Sequence, residues 1–421
     1  MRRWLPALSL ATGALPGVLL PFALPGMIGL EASDRILLAF SISMIISGVF
    51  ATGVEASLLS EVSRLRVDGH LPTLRSVSRA AIRCFARLIV PAVATFFLLR
   101  AVYAVVDGEA SERLFALDID YLFCLSAASA ILAAPWSGTL VALAKPAPVL
   151  FSTFFRGGPS LIVLLLTSEP TYIVVSLVVG ELMRVLFLRW RVSVALSREG
   201  EGIDIGIPAR RELFAQSGAQ ILSQLAPVLA RFIFVLGPVG TISAAEMALR
   251  IYQIAYQIVY SLFVLPLLPQ LAGIAQAGSR ATRLIRSTTK RLLAIAAVAT
   301  ILTTIGVVGA ALLNTELNVT VTTVSTGLLW STALLASLPA ATLNVWAARG
   351  LVTARTARLL PLVSLSALIT CALVGFGGQP LMGSVAGVVG LSVSQVVAGA
   401  LALLLFKRTV AQSKGEWPKD V

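Results

Sequence analysis

The sequence predicts an all-α membrane protein of about twelve transmembrane helices in two six-helix bundles, and three observations carry that prediction. Of 421 residues, 57% are hydrophobic and only 13% charged, with a mean hydropathy of +0.91. A soluble domain carries roughly 25% charged residues, so the apolar side chains must face lipid or one another. The apolar residues also come in runs of about 20, enough for a helix to cross a ~30 Å hydrocarbon core. Finally, the basic residues gather between alternate runs, which is how membrane topology is written.

The runs fall at 5–30, 36–59, 84–106, 120–143, 147–168, 171–190, 212–236, 241–268, 292–313, 319–346, 359–376 and 382–406. Strands of a membrane barrel would be shorter and would alternate, so helices are required. The first run follows Met1-Arg2-Arg3-Trp4 and exceeds the ~7–15 apolar residues of a signal peptide. It is expected to stay in the mature chain as a spanning helix.

Alternate loops differ sharply in charge. One set holds Arg64, Arg66, Arg75, Arg79, Arg83, Arg87, Lys145, Arg189, Arg191, Arg198, Arg210 and Arg211. It continues with Arg280, Arg283, Arg286, Lys290, Arg291, Arg349, Arg355 and Arg358, and both termini add Arg2, Arg3, Lys407, Arg408, Lys414 and Lys419. The other set holds Arg35, Arg100 and Arg113, beside Asp107, Glu109, Glu112, Asp118 and Asp120. Twenty-six basic residues against three predict an inner-membrane protein with both termini in the cytoplasm. The outer connections are short, Ser168-Glu169-Pro170 and Gly237-Pro238-Val239-Gly240 among them.

Several function classes drop out. The net charge of +13 would suggest nucleic acid in a soluble chain, but here it serves topology. Cys84, Cys124 and Cys371 are far apart, and His70 is the only histidine, so neither a metal site nor a cofactor is expected. No phosphate-binding GxxxxGK[ST] loop occurs, so this chain does not hydrolyse ATP. No nucleophile and base pair up for an enzyme; a membrane glycosyltransferase or polymerase would need a long outer loop or an acidic pair, and Glu31 with Asp34 sit by a minimal turn.

An internal repeat organises the chain. Leu74-Arg75-Ser76-Val77-Ser78-Arg79 matches Ile285-Arg286-Ser287-Thr288-Thr289-Lys290, with Arg75 and Arg286 211 positions apart. That offset carries the first six runs onto the last six. Six helices per half is an even number, so the halves run in the same direction. The halves are 1–205 and 206–421. The repeated basic segments, 61–87 and 272–291, are expected to form interfacial helices with a topogenic role.

Charges inside a bilayer cost roughly 2.5–3.5 kcal/mol each on insertion scales and tend to mark function. Arg156 lies about as far before the 168–170 turn as Glu181 lies after it, so the hairpin sets them at one level. Arg231 and Glu246 flank the 237–240 turn in the same way. Arg184 and Arg250 share helix faces with Glu181 and Glu246 at i,i+3 and i,i+4. Glu55 is a further carboxylate within a run. Two polar stripes accompany them: Gln216, Gln220, Ser223, Gln224 and Arg231 on the seventh run; Ser243, Glu246, Arg250, Gln253, Gln257 and Tyr260 on the eighth. Lipid cannot satisfy such groups, so they face a hydrated cavity or each other. Pro6, Pro16, Pro21 and Pro25 in or beside the first run, and Pro227 in the seventh, mark kinks that serve either a hinge or packing.

Gly53-Val54-Glu55-Ala56-Ser57-Leu58-Leu59, Tyr252-Gln253-Ile254-Ala255-Tyr256-Gln257 and Leu265-Pro266-Leu267-Leu268-Pro269-Gln270 resemble a known family. The chain is similar to polysaccharide flippases of the Wzx type, in the multidrug/oligosaccharidyl-lipid/polysaccharide exporter superfamily. The resemblance implies a V-shaped, two-lobed transporter, not an enzyme. It implies alternating access of a central cavity that flips a polyprenyl-pyrophosphate-linked glycan across the bilayer. Arg156, Arg184, Arg231 and Arg250 would attract the pyrophosphate. Gln216, Gln220, Gln224, Gln253 and Gln257 would meet sugar hydroxyls. Glu55, Glu181 and Glu246 would couple H⁺ or Na⁺ or serve as counter-ions, the second role favoured for Glu181 and Glu246. A monomer is expected. A lipid II flippase and a drug/cation antiporter of the same superfamily are the alternatives. The antiporter would want an acid-rich cavity, and here arginines outnumber carboxylates. A facilitator-type transporter would carry a short Gly- and Arg-rich loop where 61–87 stands.

Overall fold

The computed structural model describes residues 5–67, 70–107, 117–196, 203, 210–264, 267, 281–316, 322–353, 356 and 359–412. These residues are almost wholly helical. The helices are α1 (Leu5–Ile28), α2 (Leu30–Val67), α3 (Leu74–Asp107), α4 (Leu117–Ala142), α5 (Ala147–Ser152), α6 (Phe154–Leu166) and α7 (Pro170–Leu196). They continue as α8 (Arg210–Val235), α9 (Thr241–Val259), α10 (Ala281–Glu316), α11 (Thr322–Leu335), α12 (Leu338–Thr353), α13 (Leu360–Met382) and α14 (Val385–Gln412). A π-helical turn, Tyr260–Val264, extends α9. Among the described residues, ten spans are long and apolar enough to cross a membrane, α5 and α6 together forming one of them. The pair α11 and α12 makes an eleventh, bent by 48°. Gln224–Val235 is a shorter apolar stretch of α8. The chain is an all-α, multi-pass membrane protein, and the described residues of each predicted run lie largely on helix.

Details depart from the sequence reading for physical reasons. The run at 319–346 is not straight: it bends by 48° between α11 and α12, and Pro339 is accommodated in the first turn of α12, where its missing N–H breaks no bond. The basic segments are not separate interfacial helices: residues 74–87 and 281–291 are the first turns of the long helices α3 and α10. Arginine-bearing turns simply continue the helix, since nothing in them breaks it. Residues 272–280 lie outside the described residues. The 211-residue offset holds at the level of elements, carrying Leu30 onto Thr241 and Ala142 onto Thr353, which are matching helix ends.

The chain divides into two compact units. The first comprises Met1–Gln224 with Pro238–Ser243, and the second Leu225–Gly237 with Ala244–Val421. In the first, α4 runs along α2 and α7, and α1 lies on α5 and α6. Its core includes Leu58, Val62, Val77, Trp136, Leu140 and Leu188. In the second, α14 runs along α12 and α13. Its core holds Leu292, Trp346, Leu351 and Phe406, with the Trp346 and Phe406 rings edge to face at 5.4 Å.

Candidate functional site

Among the described residues, each unit brings together one group of the charged residues singled out from the sequence. In the first unit, the group is built where α6 and α7 form a hairpin around the Ser168-Glu169-Pro170 turn. Glu181 on α7 bonds two arginines. Its Oε1 lies 2.6 Å from Arg156 Nε on α6, and its Oε2 lies 3.2 Å from Arg184 Nη1 one turn along α7. Arg184 also donates from Nε to Ser152 Oγ at 3.3 Å, the last residue of α5. Arg156 Nη1 lies 3.7 Å from the Met44 sulfur on α2. Glu55 on α2 lies near enough to this group to interact electrostatically with Arg184 and then with Arg156. Two arginines therefore meet two carboxylates, and the group is charge-balanced when all are ionised.

Glycines make this convergence possible. A Cβ at Gly180 would collide with the Phe155 carbonyl oxygen, so only glycine lets α7 press on α6 beside Arg156. A Cβ at Gly138 would stand 2.6 Å from the Glu55 carbonyl oxygen, so α4 meets α2 at the candidate residue.

In the second unit, Arg231 on α8 and Arg250 on α9 share Glu246. Arg231 Nη2 lies 2.8 Å from Glu246 Oε1, and Arg250 Nη2 lies 3.9 Å from Glu246 Oε2. Arg231 Nη1 donates to the Pro227 carbonyl at 3.2 Å, and Arg250 Nη1 donates to Gln253 Oε1 at 3.2 Å. One carboxylate against two arginines leaves this trio a net positive charge. Gln253 and Gln257 are exposed on α9. The Gln224 side chain lies near Gly48 in the first unit. The side chains of Gln216 and Gln220 lie outside the described residues.

Three features escaped the sequence reading. Asp34 does not pair with Glu31, which instead bonds Arg35 at 2.9 Å. Its carboxylate accepts from the backbone N–H of Gly240 at 2.6 Å and of Ser243 at 2.8 Å, and from Ser243 Oγ at 2.5 Å. Asp34 thus caps the N-terminus of α9, where orphan amides and the helix dipole favour an anion. Arg100 and Asp120, placed by the sequence with the outer loops, are buried inside α3 and α4 and paired at 2.9 Å. Tyr252, Tyr256 and Tyr260 form a ladder of near-parallel rings, 6.3 and 6.2 Å apart; their i,i+4 spacing was the available signal. No group of three or more metal-ligating side chains occurs among the described residues.

No protein-family description matches the chain, and no curated relative does. Solved structures do. A multidrug-resistance MATE-family transporter of the MOP superfamily, in its inward-facing conformation, superposes with a TM-score of 0.72 at 12% identity, over 95% of both chains. The lipid II flippase MurJ, in an inward closed conformation, gives 0.69 at 15%, over 97% of this chain and 89% of that one. A MOP-superfamily transporter from Pyrococcus furiosus, described by the reverse polarity of its binding pocket, gives 0.63 at 12%, over 98% and 96%. At such identities the likeness is one of fold, and the fold of this chain is that of the MOP-superfamily transporters.

Proposed function

We propose that this protein is a transporter of the cytoplasmic membrane that flips a polyprenyl-pyrophosphate-linked oligosaccharide for surface polysaccharide synthesis. The observation that carries the reading is the trio of the second unit, where Arg231 and Arg250 in spanning helices share the single carboxylate of Glu246. Desolvated guanidinium groups are costly unless they meet anions, and their planar fork matches phosphate oxygens. The trio Arg231, Glu246 and Arg250 has the net positive charge that a pyrophosphate would neutralise. Gln253 and Gln257 offer neighbouring amides for sugar hydroxyls. The superposed MurJ is named for lipid II, and the MATE structures for multidrug resistance. Drug cations would find the net positive trio repulsive, so the headgroup reading is favoured over cation antiport. Lipid II shares the chemistry of the proposed cargo and is the second reading. The glutamates serve as counter-ions or couple H⁺ or Na⁺.

Reconstitution in proteoliposomes tests the proposal. A fluorescent polyprenyl-pyrophosphate glycan should cross the bilayer with the protein present. Arg231→Ala and Arg250→Ala should each slow it by about ten-fold or more while still inserting. Unchanged flipping in both variants, or efflux of a cationic dye instead, would sink the reading.

A further inference from the structure

The long helix α10 packs on one face only. Ile285, Leu292 and Ala296 are buried on that face. The opposite face carries Arg283, Arg286 and Lys290 in its first turns, then Ala294, Val298 and Ile301 further along. At 100° per residue these six fall within a sector about 120° wide. The three cations and Ala294 are exposed, and Val298 and Ile301 are 56% and 58% exposed. One continuous stripe therefore changes from cationic to apolar along a helix apolar enough to cross the membrane.

The cations are costly where they stand. Arg286 and Lys290 are like charges at i,i+4, which repel. The first turns of a helix also present the positive end of its dipole. No acidic residue occurs from Ala281 to Thr315, and none of the three cations has an ion-pair partner among the described residues. Topology requires positive charge near the end of a span, but not its alignment above a bare apolar stripe. A bridging anion would relieve both costs, and the stripe indicates which anion. Lys290 and Ile301 are about 16 Å apart along the axis, close to half of a ~30 Å hydrocarbon core. A soluble phosphate would match only the first part of the stripe, and a neutral lipid only the second. The pair Arg286 and Lys290 also belongs to the motif shared with Arg75 and Arg79 of the first half.

We propose that this face of α10 binds an anionic phospholipid, with its phosphate among Arg283, Arg286 and Lys290 and an acyl chain along Ala294, Val298 and Ile301. The site lies wholly within the second unit and uses none of the buried charges, so it stands or falls apart from the cargo.

Lipid quenching of a local fluorophore tests this. Bimane on Leu302→Cys, an exposed position beside the stripe, reports the adjacent lipid, since Cys84, Cys124 and Cys371 are buried away from the label. The labelled protein is placed in phosphatidylcholine vesicles containing phosphatidylglycerol or phosphatidylcholine with a nitroxide on the acyl chain. Quenching against lipid fraction gives the relative association of the two lipids. Phosphatidylglycerol should be preferred about ten-fold or more. Arg286→Gln with Lys290→Gln should bring the preference below about two-fold. Lys407→Gln with Arg408→Gln, which removes two exposed cations near the end of α14, should leave it unchanged. Should the α10 double variant not fold, Lys290→Gln alone should cut the preference about three-fold. Equal quenching by both lipids in the parent would overturn the site. So would a preference that survives the loss of Arg286 and Lys290, or one that falls equally in the α14 variant. A bimane quenched by neither lipid would show the face covered by a second copy of the chain, and would overturn it too.

Discussion

Arg100 and Asp120 are 2% and 0% exposed, a more complete burial than that of any other ion pair among the described residues. Removing two charges from water is repaid only while both are present. Asp120→Leu strands a guanidinium and should cost about 3–5 kcal/mol of stability. The double replacement Arg100→Met with Asp120→Leu should recover most of it, since a packed apolar pair has no desolvation cost. Thermal unfolding in detergent measures both; a single variant as stable as the parent would refute the account. Sequence could not have found this pair. Arg100 and Asp120 flank a stretch of loop composition, and hydropathy windows do not resolve helix ends. By contrast, Arg156 with Glu181 and Arg231 with Glu246 were legible, because each pair is symmetric about a short turn. Asp34 was illegible for another reason: its partners Gly240 and Ser243 lie 206 and 209 residues away, and no local pattern encodes that.

Elements here depend on where side chains are absent. In a membrane, apolar side chains gain little by leaving lipid, so close backbone approach supplies much of the packing. Gly180 and Gly306 form a controlled comparison. A Cβ at Gly180 strikes the Phe155 carbonyl, whereas a Cβ at Gly306 meets nothing within 4 Å. Gly180→Ala should therefore destabilise by about 1–3 kcal/mol and disturb the Arg156–Glu181 contact. Gly306→Ala should be neutral or stabilising by up to about 1 kcal/mol, since alanine favours helix. Equal melting temperatures for the two variants would show that the approach at Gly180 is not tight. The existence of the helices was legible in run length alone. Their interruptions were not, because the bend before Leu338 and the break at Thr153 depend on how neighbours pack.

At the scale of the molecule, the repeat holds for helices and fails for charges. The 211-residue offset carries Arg156, Glu181 and Arg184 onto Ala367, Ser392 and Gln395. In reverse it carries Arg231, Glu246 and Arg250 onto Leu20, Arg35 and Ala39. The halves thus share a scaffold while their buried charges have been placed independently, so chemistry was not inferable from one half to the other. Orientation is where the whole chain speaks with one sign. Of the three basic residues assigned outside, Arg35 lies within α2 beside Glu31, and Arg100 lies buried within α3. Only Arg113 is left as a loop residue, and it falls outside the described residues. The same test also removes most of the inside set, which lies on helix ends, so the orienting bias, which counts lysine and arginine in short loops, keeps its sign and its proportion. A fluorescent protein fused after Val421 should light up, because it folds in the cytoplasm. Alkaline phosphatase fused at Glu169 should be active, because the charge bias assigns that turn to the outside. Phosphatase activity at the C-terminus would invert the topology, and would place the arginine-rich loops where a positive-inside chain does not put them.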